Sequence, residues 1–220
     1  MKLSPSILAA DFTQMPQVIK LVETAKCEYL HFDIMDGCFV PNLTFGPPFV
    51  ALVRRLTTLP FDVHLMVKNP GQYVEELAEV GVQVLSFHPE AEAYSLRLIR
   101  RIQDLGIQAS VALNPQTSLT AIEELLPHLD NALIMTVDPG FYGQEFISTM
   151  FRKIEKLHAY REDHELMFTI EVDGGVNEEN ITTLQSLGVD TVVAGKAFFG
   201  APDPVKFAAR VHGSRRRFHA

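Results

Sequence analysis

The chain has 220 residues, of which 47% are hydrophobic and 21% are charged, and these proportions exclude a disordered, collagenous or coiled-coil protein. With 19 basic and 27 acidic residues the net charge is −8, which would repel a polyanion, so we expect no nucleic-acid partner. The sequence shows no secretory leader and no apolar run of about 18 residues, and we therefore expect a soluble, cytoplasmic protein without a membrane partner.

Cys27 and Cys38 lack disulfide-framework or zinc-finger spacing. Their apolar neighbours predict packing, and their small number indicates a reducing compartment.

Short β-rich segments alternate with segments of helical periodicity along the whole chain. The predicted strands are 3–8, 29–34, 61–66, 84–87, 108–113, 132–137, 168–172 and 191–194. The predicted helices are 13–24, 46–56, 70–80, 94–104, 118–126, 147–161, 178–187 and 203–212. Eight consecutive βα units predict an α/β protein, a (β/α)8 TIM barrel with residues 1–220 as its single domain. A doubly wound open sheet is the alternative, but the first strand leads into Ala9-Ala10-Asp11-Phe12 instead of a glycine-rich fingerprint.

Ionisable side chains lie near the ends of three predicted strands. His31 and Asp33 are two residues apart and share one strand face, His64 lies on the third strand, and Asp173 ends the seventh. In a barrel such strand ends face the active site. A single histidine there is more readily explained as a hydrogen-bonded structural residue. Two imidazoles and two carboxylates together instead favour a site for one divalent metal ion, Zn, Fe(II), Mn or Co.

Glycine-rich loops follow the last three predicted strands, at 138–144, 173–177 and 194–196. A glycine pair in isolation is ordinary turn chemistry. TIM barrels commonly bind phosphate at these positions, and Lys196 adds a positive charge. Three such loops on neighbouring strands therefore predict a phosphate-binding cradle.

Several motifs resemble those of the ribulose-phosphate 3-epimerase family, along nearly the whole chain. They are Ser4-Pro5-Ser6-Ile7-Leu8-Ala9-Ala10-Asp11-Phe12, His31-Phe32-Asp33-Ile34-Met35-Asp36-Gly37, Phe39-Val40-Pro41-Asn42, His64-Leu65-Met66-Val67, Met135-Thr136-Val137, Pro139-Gly140-Phe141, Gly143-Gln144 and Glu171-Val172-Asp173-Gly174-Gly175. The resemblance implies a TIM-barrel isomerase that inverts C3 of a ketopentose phosphate, D-ribulose 5-phosphate to D-xylulose 5-phosphate. It also implies a homo-oligomer that serves the pentose phosphate pathway or carbon fixation.

The resemblance further implies a role for individual residues. The metal ligands would be His31, Asp33, His64 and Asp173, with Asp33 as proton acceptor and Asp173 as proton donor. Ser6 and His64 would contact the sugar. The phosphate end would be formed by Gly140, Phe141, Tyr142, Gly143, Gly174, Gly175, Gly195 and Lys196. Met66 and Met135 would line the site, although core packing explains each of them equally well.

Two departures from the family pattern fall at the phosphate end. The family usually has glycine at the position of Tyr142 and serine at the position of Lys196. Both changes leave open a hexulose 6-phosphate, such as allulose 6-phosphate, as the substrate. A metal-dependent aldolase or decarboxylase and a non-catalytic phosphosugar-binding protein are the remaining alternatives. The basic run at 215–217 is interpreted as a solvated terminus without a function.

Overall fold

Eight parallel strands form one ring. The structure is a computed structural model that describes residues 1–213, so the basic run at 215–217 lies outside the described residues. The strands are β1 (Lys2–Pro5), β2 (Leu30–Met35), β3 (Phe61–Met66), β4 (Val84–Phe87), β5 (Gln108–Leu113), β6 (Asn131–Met135), β7 (Thr169–Asp173) and β8 (Thr191–Ala194). Each strand from β2 to β7 pairs with its successor, and β8 pairs with β1.

The ring closes between β1 and β2 through few contacts. A single parallel bridge joins Ser6 to His31, and the Glu28 amide donates to the Leu3 carbonyl at 3.2 Å. The predicted TIM barrel is therefore confirmed. The alternative of an open doubly wound sheet is wrong. The first strand ends at Pro5, earlier than predicted, because the chain turns into a 3-10 helix at Ile7–Ala9.

Seven of the eight predicted helices are present within a few residues of their expected bounds. The described α-helices are α1 (Met15–Thr24), α2 (Pro47–Arg54), α3 (Val74–Val80), α4 (Ser95–Asp104), α5 (Met150–Asp163), α6 (Ile181–Ser186), α7 (Lys196–Phe199) and α8 (Pro204–Gly213). The further 3-10 helices are Phe12–Gln14, Pro70–Tyr73, Pro89–Ala91, Leu119–Ala121 and Leu126–His128. None of the described helices is long and apolar enough to cross a bilayer.

The helix predicted at 118–126 is wrong. The segment contains only two short 3-10 turns, Leu119–Ala121 and Leu126–His128. Ser118 caps the first turn by accepting from the Thr120 amide, and Pro127 has no amide hydrogen to extend an α-helical ladder. The structure also contains α7, a single turn after β8 that the sequence analysis did not predict.

The strands alternate between an apolar outer face and a polar inner face. On β2, for example, Leu30, Phe32 and Ile34 belong to the large core shared with the helices, whereas His31 and Asp33 point the other way. The buried polar residues on the strands are Ser4, His31, Asp33, Asp62, His64, Ser86, Ser110, Asn131, Glu171 and Thr191. The barrel interior is therefore largely polar, and its side chains must pair their hydrogen-bond donors and acceptors with one another.

The two cysteines have different environments. Cys27 is buried, as predicted, but Cys38 is exposed, so the packing predicted for it is wrong. Cys38 lies in a turn after β2, where its amide donates to Asp36 Oδ1 at 2.8 Å and its side chain is left outside. Both thiols are free.

Candidate active site

Strand register brings the four predicted metal ligands together. Asp33 on β2 lies directly opposite His64 on β3, and His31 lies two residues earlier on the same face. Asp173 is the last residue of β7, as predicted. One ligand atom from each of the four residues lies within 4.8 Å of the others. Four residues that are up to 142 positions apart in the sequence thus meet at one point in the structure.

Hydrogen bonds orient His31 and Asp33. His31 Nδ1 lies 2.6 Å from Asp62 Oδ2, and its Nε2 lies 3.3 Å from Asp33 Oδ1. Ser4 Oγ donates to the same Asp62 oxygen at 3.0 Å, and Ser6 Oγ donates to Asp33 Oδ2 at 2.6 Å. A carboxylate behind a histidine fixes the ring and directs its second nitrogen forwards. His31 therefore presents Nε2 to the cluster.

The two carboxyl groups of the cluster differ in acidity. Burial alone would raise the pKa of Asp33, but the adjacent His31 and His64 lower it below its ordinary value. Burial raises the pKa of Asp173 to about 7, and the neighbouring Asp33 carboxylate adds to this increase. The site thus combines an ionised carboxylate with a carboxyl group that holds a proton near neutral pH. This is the pattern of an acid and base pair.

The histidines also differ. Burial lowers the pKa of His64 to about 4, so its imidazole is neutral at neutral pH. Burial would likewise lower the pKa of His31, but the Asp62 and Asp33 carboxylates raise it well above its ordinary value. A metal ligand must be unprotonated at the coordinating nitrogen. His64 meets this condition directly, whereas the raised pKa of His31 means that cation binding there would compete with a proton.

The arrangement of donor atoms fits a divalent cation. His64 Nδ1 is buried and has no hydrogen-bond partner among residues 1–213. It lies 3.5 Å from Asp33 Oδ1 and 3.9 Å from Asp173 Oδ2. A cation among these atoms would coordinate the orphaned nitrogen and compensate the negative charge of the Asp33 carboxylate. Two nitrogen and two oxygen donors suit Zn, Fe(II), Mn or Co.

A cavity of about 690 Å³ lies at the carboxyl ends of the strands, next to the cluster. The predicted residues that line it are Ser6, Asp33, Met66, Met135, Gly140, Phe141, Tyr142, Gly143, Asp173, Gly174, Gly175, Gly195 and Lys196. His31 and His64 are fully buried and do not line it. The structure therefore brings His64 to the metal-ligand cluster and not to the space available to a sugar.

The phosphate end of the cavity is built by close contacts between loops. Gly175 has φ +66°, and a Cβ there would overlap the backbone of Phe146 in the loop after β6. A Cβ at Gly143 would lie 3.5 Å from Lys196 Cδ, so the lysine side chain lies beside this loop. Among the described residues that line the cavity, Lys196 is the only cation. An anionic group would be drawn to this end.

Four polar residues near the cluster were not predicted. Asp62 and Glu171 lie buried deeper in the barrel, buried His88 immediately follows β4, and Glu90, which is exposed, comes two residues later. Burial and the Asp62 charge raise the pKa of Glu171 well above its ordinary value. The signal for His88 was present in the sequence, because it immediately follows a predicted strand, as Asp173 does.

A parallel barrel that gathers ionisable side chains and a cavity at the carboxyl ends of its strands has the construction of a TIM-barrel enzyme. The family model of the ribulose-phosphate 3 epimerase family matches residues 2–199. The ribulose-phosphate 3-epimerase of Bacillus subtilis (strain 168) is 42% identical over 97% of this chain and 99% of its own. That of Synechocystis sp. is 42% identical over 97% of this chain and 94% of its own. The chain therefore belongs to the ribulose-phosphate 3-epimerase family, and it is an isomerase.

Solved structures support the fold independently of sequence. The crystal structure of KGPDC from Streptococcus mutans superposes with a TM-score of 0.68, covering 96% of this chain and 95% of its own. The two sequences are only 16% identical, so the likeness concerns the barrel alone.

Proposed function

We propose that this enzyme is a metal-dependent 3-epimerase that interconverts D-ribulose 5-phosphate and D-xylulose 5-phosphate. The observation that carries the proposal is the pair Asp33 and Asp173, one ionised and one holding a proton, in a single cluster beside the cavity. Family membership and the names of the relatives support the substrate.

Inversion at C3 requires that a proton leave one face of the carbon and another arrive on the opposite face. Asp33 is the acceptor in this direction, because the histidines keep it ionised and Ser6 Oγ orients it. Asp173 is the donor, because burial leaves it protonated near neutral pH. In the reverse direction the two carboxyl groups exchange roles. The reaction then proceeds through an enediolate that has lost the C3 proton to one carboxyl group and gains a proton from the other, so substrate and product have the same atoms.

His31, Asp33, His64 and Asp173 would hold the divalent cation. When bound, the cation supplies positive charge that stabilises the oxygen anion formed as the C–H bond breaks. The protein residues supply the rest: Asp62 orients His31, and the burial of His31, Asp33 and His64 keeps water from that side of the cluster. Zn, Fe(II), Mn and Co all match the donor set.

The substrate phosphate would lie between the loops after β6, β7 and β8. Gly140, Gly143, Gly174, Gly175 and Gly195 line the cavity there, and Phe141 and Tyr142, which are 54% and 62% exposed, flank the entrance. Lys196 provides the charge. We further propose a cytoplasmic homo-oligomer, to be checked by analytical ultracentrifugation and cell fractionation.

The reaction is tested by incubating metal-loaded enzyme with ribulose 5-phosphate in D2O and recording NMR spectra. We expect xylulose 5-phosphate that carries deuterium at C3. A product of lower mass would instead indicate an aldolase or decarboxylase. Sugar binding without any turnover would indicate a non-catalytic protein.

The acid and base assignment predicts that Asp33→Asn and Asp173→Asn each abolish turnover, since each removes one of the two proton-transfer groups. Asp104→Asn, which changes an exposed carboxylate on α4, is the matched control and should retain full activity. Near-normal rates in either site variant would contradict the two-base mechanism.

The hexulose phosphate alternative rests on Tyr142 and Lys196. Specificity constants for ribulose 5-phosphate and allulose 6-phosphate, measured side by side, decide between the two substrates. If the hexulose phosphate is preferred, Tyr142→Gly and Lys196→Ser should move the preference towards the pentulose phosphate.

A further inference from the structure

A chain of polar groups leads from the buried His64 through the buried His88 to Glu90 at the surface. His64 Nε2 lies 2.8 Å from His88 Nε2, and the two rings are 4.9 Å apart at their centroids. His88 is fully buried, and its Nδ1 lies 3.7 Å from Glu90 Oε2. His88 Nδ1 makes no hydrogen bond to any of residues 1–213, so the Glu90 carboxylate is the charge that faces it.

Only one proton can lie between the two Nε2 atoms, and its position decides what His64 presents to the site. If His64 carries the proton on Nε2, its Nδ1 has a free lone pair that points at Asp33 and Asp173. If His88 carries it instead, neutral His64 must hold its own proton on Nδ1, and that nitrogen cannot ligate a cation. The direction of this one hydrogen bond therefore determines whether His64 can ligate a cation through Nδ1.

Glu90 favours the competent direction. Burial alone would raise its pKa, but the nearby His88 and the hydrogen bond from Thr117 bring the pKa down to about 2, so it is a carboxylate at neutral pH. A carboxylate beside His88 Nδ1 attracts a proton to that nitrogen. His88 Nε2 is then an acceptor, and His64 must donate to it.

The carboxylate is held in place by the loop after β5. Its Oε1 accepts from Asn114 Nδ2 at 3.0 Å and from Thr117 Oγ1. Lys153 on α5 fixes that loop by donating to the carbonyls of residues 114, 115 and 117 at 2.9, 2.7 and 2.7 Å. The Oε1 position therefore requires an acceptor, and Oε2 is the atom left to face His88.

We propose that His88 and Glu90 are positioning residues that place the His64 proton on Nε2 and so direct the Nδ1 lone pair to the divalent cation. The inference rests on the proposed function, because it concerns the cation site of that reaction. Neither residue touches the substrate cavity, so both act through His64.

Glu90→Gln reverses the hydrogen-bond direction with almost no change in shape. The two donors at the Oε1 position retain the amide oxygen, so the amide nitrogen faces His88 Nδ1 and donates to it. His88 must then donate to His64, which moves the His64 proton to Nδ1. Glu90→Ala is the matched comparison, because it removes the carboxylate and leaves His88 free to adopt either tautomer.

The experiment measures Zn(II) and Co(II) affinity by competition with a chelator for the wild type and both variants. We expect Glu90→Gln to lose about tenfold or more in affinity, in line with other partners of metal-ligating histidines, and to bind more weakly than Glu90→Ala. Thermal unfolding should rank the variants in the opposite order, because Ala loses the contacts to the loop that Gln keeps. A purely structural role would give the same order in both measurements and would overturn the proposal.

A second readout needs no metal. 15N NMR of histidine-labelled, metal-free protein reports which His64 nitrogen carries the proton, with the signals assigned by their loss in His64→Asn. We expect a protonated Nε2 in the wild type and a protonated Nδ1 in Glu90→Gln. An unchanged tautomer with unchanged affinity refutes the role of Glu90 and leaves the proposed function intact. Wild-type protein that binds neither metal refutes the proposed metal dependence, whatever the tautomer.

Discussion

Lys196 is the residue that distinguishes this cavity electrostatically. It is the only cation among the described residues that line the cavity, although several carboxylates line it too. A charge-assisted hydrogen bond to a phosphate contributes about 1.5–3 kcal/mol. The substrate phosphate would therefore depend on one side chain for its counter-charge.

This dependence predicts a separation of kinetic effects. Lys196→Met should raise KM for ribulose 5-phosphate by about ten- to a hundredfold while leaving kcat nearly unchanged, because the phosphate is remote from C3. Lys196→Arg keeps the charge and should retain most of the affinity. A fall in kcat at constant KM, measured by steady-state kinetics, would contradict a role in binding the phosphate.

Glu90 gives a second prediction, for the pH dependence of stability. Its pKa is about 2 in the folded protein and near 4.5 ordinarily, so its carboxylate stabilises the fold above pH 4.5. That stabilisation is lost as the pH falls from about 4.5 to 2. The difference in free energy of unfolding between wild type and Glu90→Gln should therefore shrink over this range in urea titrations. A difference that stays constant with pH would show that the charge of Glu90 contributes nothing.

The sequence could predict some of these residues but not others. His31, Asp33 and Asp173 are polar side chains at strand ends within distinctive motifs, and such residues carry a signal along the chain. Asp62 and Glu171 carry none, because nothing local tells a buried carboxyl group in a barrel lumen from an exposed one on a strand. Their partners come from other strands, and only the closed ring brings these together.

At the scale of elements, the loops after β6 and β7 are locked against each other at Gly175. Both its left-handed φ and the proximity of Phe146 require the absence of a side chain. Gly81, after α3, also has a left-handed φ of +81°, but its missing Cβ would meet no atom within 4 Å. A comparison of the two positions therefore distinguishes the cost of the left-handed backbone conformation, which both share, from the cost of close packing, which only Gly175 has.

Gly175→Ala should destabilise the fold by clearly more than Gly81→Ala. We expect about 1 kcal/mol for Gly81→Ala, from the left-handed conformation alone. For Gly175→Ala we expect about 3 kcal/mol or more, together with a loss of activity, because the loop that carries Phe146 must move. Chemical denaturation of both variants checks the comparison. Equal losses would mean that the approach of Phe146 is not restrictive.

The prediction of helices and strands succeeded for segments with a strong hydrophobic pattern and failed for short segments. The buried strands are continuous β-rich runs, and they were placed within a few residues. The segment at 118–126 has the apolar spacing of a helix, but Ser118 and Pro127 cap and interrupt it within two turns. Helix α7 has four residues, which is too short for any period to appear.

For the whole molecule, the barrel architecture followed from the count of βα units, but the character of its interior did not. Most of its apolar core lies between the ring and the helices, and the lumen holds a network of hydroxyl, amide, imidazole and carboxyl groups. Such a network is stable only when its members satisfy one another. The side chains of the site are therefore oriented by hydrogen bonds to polar side chains of the lumen, as His31 is by Asp62.

The closure of the ring gives a prediction at this scale. The β1–β2 junction has a single bridge, Ser6 to His31, whereas every other pair of neighbouring strands has a ladder of at least three registered residues. Hydrogen exchange should therefore be fastest, among the strand amides, at this junction. Adding Zn(II) should slow it there more than at the β5–β6 junction, which contributes no ligand. Uniform slowing around the ring would contradict the prediction.

The position of this junction links the binding of the catalytic ion to the stability of the barrel. Asp173 on β7 and His31 on β2 lie on either side of it, so an ion held by both would act as a clasp across the weakest join of the barrel. Ion binding would then stabilise the fold by an amount that grows with the logarithm of the ratio of ion concentration to Kd. Depletion of the ion would, on this basis, shorten the lifetime of the folded protein as well as abolish its activity.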